Sequence, residues 1–78
     1  MEQVIKEIWS QSNQYKVQII KRKDGFFTTV VYRWTANYGY EYWNPVNKGL
    51  SLIDTEENAV TLAIEHLREY SGEMSYFG

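Results

Sequence analysis

Tyr15-Lys16-Val17-Gln18-Ile19-Ile20-Lys21-Arg22-Lys23-Asp24-Gly25-Phe26-Phe27-Thr28-Thr29-Val30-Val31-Tyr32-Arg33-Trp34 reads as two extended runs joined at Asp24-Gly25. Tyr15, Val17 and Ile19 alternate with Lys16 and Gln18, the two-residue period that sends successive side chains to opposite faces of a strand. The run from Phe26 to Trp34 is dense in the β-branched and aromatic residues that suit a pleated surface. Asp-Gly between such runs signals a hairpin, because both central positions of a type I′ turn need positive φ. With Asp24-Gly25 as a two-residue loop, Val17 is expected opposite Tyr32, Ile19 opposite Val30 and Tyr15 opposite Trp34, and this face is the predicted core. The reverse face then pairs Ile20 with Thr29, Gln18 with Val31, Arg22 with Phe27 and Lys16 with Arg33. That last pair opposes two cations, which calls for an acidic neighbour, a ligand or a different register. A slip of one residue would expose Val17, Ile19, Val30 and Tyr32 on one strand or the other, a larger cost than one like-charge pair, so the two-residue register is the expectation.

Outward from this hairpin, Val4 to Trp9 is a first strand, separated from it by the polar, turn-prone Ser10 to Gln14. Thr35-Ala36-Asn37 with Gly39 forms a connection, and Tyr40 to Trp43 is a further strand ended by Asn44-Pro45. Asn47-Lys48-Gly49 reads as a turn and Leu50-Ser51-Leu52-Ile53 as a short extended return. The helix is the clearest element. Asp54-Thr55-Glu56-Glu57 supplies a cap, with either Asp54 or Thr55 as N-cap and acids at the positive end of the dipole. Ala59, Val60, Ala63, Ile64, Leu67 and Tyr70 follow at helical spacing until Ser71-Gly72. Small Ala59 and Ala63 on the apolar stripe suit close approach to bulky rings. Strands first and a helix last predict an α+β domain: an antiparallel sheet of four strands, five at most, with one C-terminal helix on one face. Residues 1–78 are expected to form one domain, with 73–78 as a tail that either packs through Tyr76 and Phe77 or frays.

A chain of 78 residues supports one modest core and leaves little for a deep, water-excluding cavity. It contains no cysteine and one histidine, which excludes disulfides, thiolate zinc sites and multi-histidine metal sites. The net charge of −2 argues against a dedicated binder of nucleic acid or anionic membrane. Its distribution is uneven, with net +3 over residues 1–53 and −5 over residues 54–78. Met1 to Glu7 lacks the basic and apolar regions of a signal peptide, and no apolar run approaches the ~20 residues of a membrane span, so a cytoplasmic location is expected.

Nothing in the sequence points to catalysis. His66 flanks the apolar stripe of the helix with no nucleophile beside it, and Glu56, Glu57, Glu65 and Glu69 fall mostly on its solvent side. The glycines are isolated, so there is no phosphate-cradling loop, and no cofactor or metal is called for. The aromatic content of 17% is the conspicuous feature. Tyr32 to Trp43 holds six rings in twelve residues. In strand geometry Tyr40 and Tyr42 share one face and Trp43 takes the other. Rings are core volume for a small chain, but Tyr and Trp are also favoured interface anchors. Lys16, Arg22, Phe27, Arg33, Tyr38, Tyr40, Tyr42 and Trp43 are therefore the candidate interaction surface. The expected function is a non-enzymatic protein-interaction module or inhibitor, using the exposed sheet face or an edge strand and binding another protein or a second copy of itself. The alternative is a single-stranded nucleic-acid binder, with rings stacking on bases and Lys16, Arg22 and Arg33 meeting phosphates.

The segments Tyr15-Lys16-Val17-Gln18-Ile19, Lys23-Asp24-Gly25-Phe26-Phe27 and Leu52-Ile53-Asp54-Thr55-Glu56-Glu57-Asn58-Ala59 together resemble the HicB-type antitoxin domain. The resemblance spans residues 15–69 in outline. It implies a small strand-rich domain with one helix, a partial ribonuclease-H-like fold without nuclease residues, which binds and neutralises a toxin protein. The chain departs from that family at 38–43, where a Tyr/Trp-rich strand replaces a Pro- and Gly-containing stretch, and after residue 70, where the family's DNA-binding element has no room.

Overall fold

The computed structural model describes residues 2–48, 52–72 and 75–76. Four strands run as an antiparallel meander: β1 (Gln3–Ser10), β2 (Tyr15–Lys21), β3 (Phe27–Asn37) and β4 (Tyr40–Lys48). Helix α1 (Glu56–Ser71) follows, and the two-residue β5 (Ser75–Tyr76) pairs with β1, giving the sheet order β4-β3-β2-β1-β5. This is the expected α+β architecture, with α1 lying across β1, β2 and β3 on one face. Gly49 of the expected turn, Leu50 and Ser51 of the expected return, the side chain of Tyr76 and all of Phe77 lie outside the described residues.

The helix is Thr55-capped, the second of the two alternatives. Thr55 is extended and its Oγ1 accepts the Asn58 N–H at 3.1 Å, while Glu56 and Glu57 occupy the first turn. Gly72 closes the other end in the left-handed region at φ 68°, donating its N–H to the Arg68 carbonyl at 2.8 Å. Ala59, Ala63 and Leu67, four residues apart, form the buried stripe and meet Ile8, Val17, Ile19, Phe27, Val31 and Ile53 in one cluster.

The register differs from the sequence expectation by one residue. Val17 faces Val31, Ile19 faces Thr29, Lys16 faces Tyr32 and Tyr15 faces Arg33. The loop is Lys23-Asp24-Gly25: Gly25 donates its N–H to the Arg22 carbonyl at 3.1 Å, Arg22 donates to the Phe26 carbonyl at 2.8 Å, and Gly25 takes φ 91°. This is a type I turn followed by a left-handed residue, a three-residue hairpin connection. Asp24 supports it by accepting the Phe26 N–H at 3.1 Å. The additional loop residue turns every β3 side chain over. Val30, Tyr32 and Trp34, expected under the helix, lie on the opposite face, and Phe27, expected on that opposite face, is buried at 9% exposure. Ile53 fixes Phe27 further, through reciprocal backbone bonds of 2.7 and 2.9 Å. The small alanines of α1 thus share the core mostly with aliphatic residues; Phe27 is the one buried ring among the described residues, and the half-buried Tyr15 packs against the cluster.

Strand β4 also runs further than expected, through Asn44-Pro45 to Lys48, which takes Asn47 and Lys48 out of the predicted turn. Pro45 is accommodated because β4 is an edge strand and the ladder shifts between Val31 and Tyr32 in a bulge at this point.

Candidate interaction surface

The sheet face away from α1 is built in rows. Register sets Trp9 beside Lys16, Lys16 beside Tyr32 and Tyr32 beside Pro45, so one row crosses four strands. The next row along the strands holds Glu7, Gln18 and Val30, and on the other side Trp34 lies opposite Trp43. Three indoles therefore converge: the ring centroids of Trp9 and Trp43 are 5.3 Å apart and those of Trp34 and Trp43 5.1 Å apart, both edge to face.

Lys16 stands inside this ring cluster. Its Nζ is 4.6 Å from the Trp43 centroid, 5.2 Å from Trp9 and 5.7 Å from Tyr32. The ammonium also meets Glu7 Oε2 at 3.2 Å, and Gln18 Nε2 donates to the same oxygen at 2.8 Å. The Lys16 side chain is left only 12% exposed. The Gln18 amide, foremost, together with Lys16, holds the Glu7 carboxyl below its ordinary value of 4.5, against the opposing effect of partial burial. The acidic neighbour that the like-charge pair called for is Glu7, and Arg33 is not opposite Lys16 at all.

The end of the β3–β4 hairpin is a second feature. β2 begins at Tyr15, opposite Arg33, and the Trp34 N–H bonds to the Gln14 carbonyl at 2.7 Å, so beyond Trp34 the two strands project as a ribbon. Its turn is Tyr38-Gly39, with φ of 52° and 82°. A left-handed tyrosine is uncommon, because its Cβ crowds the backbone in that region. Tyr38 is 91% exposed, Tyr40 74% and Tyr42 45%. Tyr40 and Tyr42 share a face with Arg33, and Trp43 takes the other, the parity read from the sequence. Helix α1 lies over β1, β2 and β3 rather than over this hairpin end.

Of the eight residues singled out in the sequence, the fold brings Lys16 and Trp43 together on the open face and Tyr38, Tyr40 and Tyr42 onto the projecting hairpin, with Arg33 at its base, opposite Tyr15 on the helix side of the sheet. Arg22 flanks the β2–β3 loop, at the opposite end of β3 from Tyr38, and is paired with Asp24 at 3.2 Å. Phe27 is in the core and drops out of the surface. Trp9, Glu7 and Gln18 join this face from β1 and β2 without a sequence expectation for them as site residues, and Tyr32 and Trp34 join it because β3 is turned over relative to the two-residue-loop register. The signal that could have found them was the unfavourable Lys16–Arg33 pairing, which a three-residue loop removes. His66 is half-buried, with Nδ1 3.5 Å from Thr29 Oγ1.

Comparison with family models, curated protein sequences and solved structures found no match. Among the described residues, no helix is long and apolar enough to cross a membrane.

Proposed function

We propose that this chain is a small, non-enzymatic protein-interaction module or inhibitor that works in the cytoplasm through its aromatic sheet face and the β3–β4 hairpin. The observation that carries the reading is the character of the sheet face opposite the helix. An antiparallel sheet with one face in water is ordinarily polar there, whereas this one presents Trp9, Tyr32, Trp34 and Trp43. The projecting hairpin adds Tyr38, Tyr40 and Tyr42, rings of the type that anchor interfaces. A tyrosine kept in a strained turn at the tip fits a role outside folding. The resemblance to the HicB-type antitoxin domain, whose members bind a toxin protein, points the same way.

The nucleic-acid reading has less support. Of its three cations, Lys16 and Arg22 are each engaged by a carboxylate, which leaves Arg33 for a phosphate. Affinity capture with the tagged chain from its native lysate tests the proposal, with Tyr38→Ser/Tyr40→Ser as the matched control. A stoichiometric protein bound by the parent and lost by the control is the expected result, together with unchanged Trp emission on adding mixed-sequence oligonucleotides at low salt. A strictly monomeric protein that retains no partner overturns it, and salt-sensitive quenching by oligonucleotide would favour the alternative.

A further inference from the structure

We infer that β4 pairs edge to edge with β4 of a second copy, antiparallel and centred on Tyr42; this names the partner for the interaction reading above and rests on it. β4 ends the sheet order, so among the described residues no strand pairs with its outer edge. The direction of its backbone groups follows from the turn. A two-residue hairpin closes on a hydrogen-bonded pair, here Asn37 and Tyr40, and antiparallel ladders alternate from there. Tyr40, Tyr42 and Asn44 therefore turn their backbone groups toward β3, whereas Glu41, Trp43 and Pro45 turn theirs outward. Proline at an outward position sacrifices no ladder bond within the sheet, which agrees with this count.

The free ladder is short and bounded on both sides. Pro45 offers no N–H, and Gly39 belongs to the turn. What remains is Glu41 to Trp43, symmetric about Tyr42. Two copies related by a two-fold axis satisfy it reciprocally: Glu41 of each exchanges backbone bonds with Trp43 of the other, and Tyr42 lies across from its counterpart in the closely spaced, non-bonded position. A longer strand from another protein would meet the proline with an unpaired acceptor.

The side chains agree with this pairing. The Tyr42 rings, 45% exposed in one chain, would meet at the axis. Tyr40 of one copy falls in line with Asn44 and Arg33 of the other, because Arg33 faces Asn44 across the β3–β4 ladder; a ring then faces a guanidinium. On the opposite face Glu41 comes beside Trp43, whose ring already carries the Lys16 ammonium at 4.6 Å. Pairing would also convert the projecting ribbon, marginal in water by itself, into four strands. A ladder of three residues and the rings beside it is a small contact against the ~1,200 Å² typical of a stable interface, so the dimer should be concentration-dependent, with a dissociation constant of about 10–1,000 µM.

Sedimentation from about 10 µM to about 1 mM reads the equilibrium. Glu41→Pro removes an outward donor and leaves the intramolecular ladder whole; it should weaken association about tenfold or more with unchanged near-UV circular dichroism. Register is read independently by oxidative cross-linking, which is clean because the chain has no cysteine. Tyr42→Cys should form a covalent dimer rapidly and Tyr40→Cys slowly, since only the former meets itself at the axis. A protein monomeric at the highest concentration, or equal cross-linking of the two variants, overturns the inference. If that monomeric protein nevertheless captures a different stoichiometric protein, the self-pairing fails while the interaction reading stands; if it captures nothing, both fail.

Discussion

The Lys16 ammonium lies 4.6 Å from the centroid of the Trp43 ring, two strands away across the sheet. Trp9 and Tyr32 flank it, and Glu7 neutralises it at 3.2 Å, so a lysine in the middle of a sheet becomes the centre of an aromatic cluster. Its alkyl stem covers ring surface and its charge is held by ring faces and a carboxylate. Lys16→Met keeps most of the stem and removes the charge. It should lower stability by about 1–2 kcal/mol and alter Trp emission, measured by urea denaturation followed by fluorescence. Unchanged stability would mean that the cluster gains nothing from the cation.

Acid should expose the Glu7 contribution. Its folded-state carboxyl is depressed, first by the Gln18 amide and then by Lys16, so the stability it supplies is complete above the ordinary value of 4.5 and is lost as pH falls through the lower folded value. Asp24 is depressed too, chiefly by the Phe26 N–H, so the difference between parent and Glu7→Gln is the informative quantity. That difference should stay constant from neutral pH down to about 5 and shrink at lower pH. Shrinkage that begins well above pH 5 would contradict the assigned direction.

Tyr38→Asn should stabilise the fold. At φ 52° asparagine is far better tolerated than tyrosine, and Asn-Gly is the preferred pair for this turn. A gain of about 0.5–1 kcal/mol is expected in thermal or urea unfolding. If the tip contacts a partner, the same variant should bind it less well, the trade expected where strain is kept for function.

The helix stripe should refuse bulk. Ala63 is completely buried between α1 and the sheet, and Ala63→Leu should cost about 1–3 kcal/mol by overpacking. Phe27→Ala should cost about 3–5 kcal/mol, as a ring removed from the core. A small effect for Phe27→Ala would return Phe27 to the surface and with it the two-residue hairpin register.

Local chemistry alone determined much of this protein. Two-residue alternation set the β2–β3 hairpin, Thr55 and Gly72 bounded the helix, and the parity of Tyr40, Tyr42 and Trp43 could be counted along one strand. Which face of β3 enters the core could not be counted that way. Val30, Val31, Tyr32 and Trp34 make both of its faces apolar, so burial preference does not choose between registers one residue apart. The choice was made by a loop hydrogen bond, Gly25 N–H to the Arg22 carbonyl, and by Ile53 returning from beyond β4 to bond Phe27. Both are relationships between strands. The same is true of the site: Trp9, Lys16, Tyr32 and Trp43 belong to four strands, and only their lateral pairing sets one ammonium among three rings.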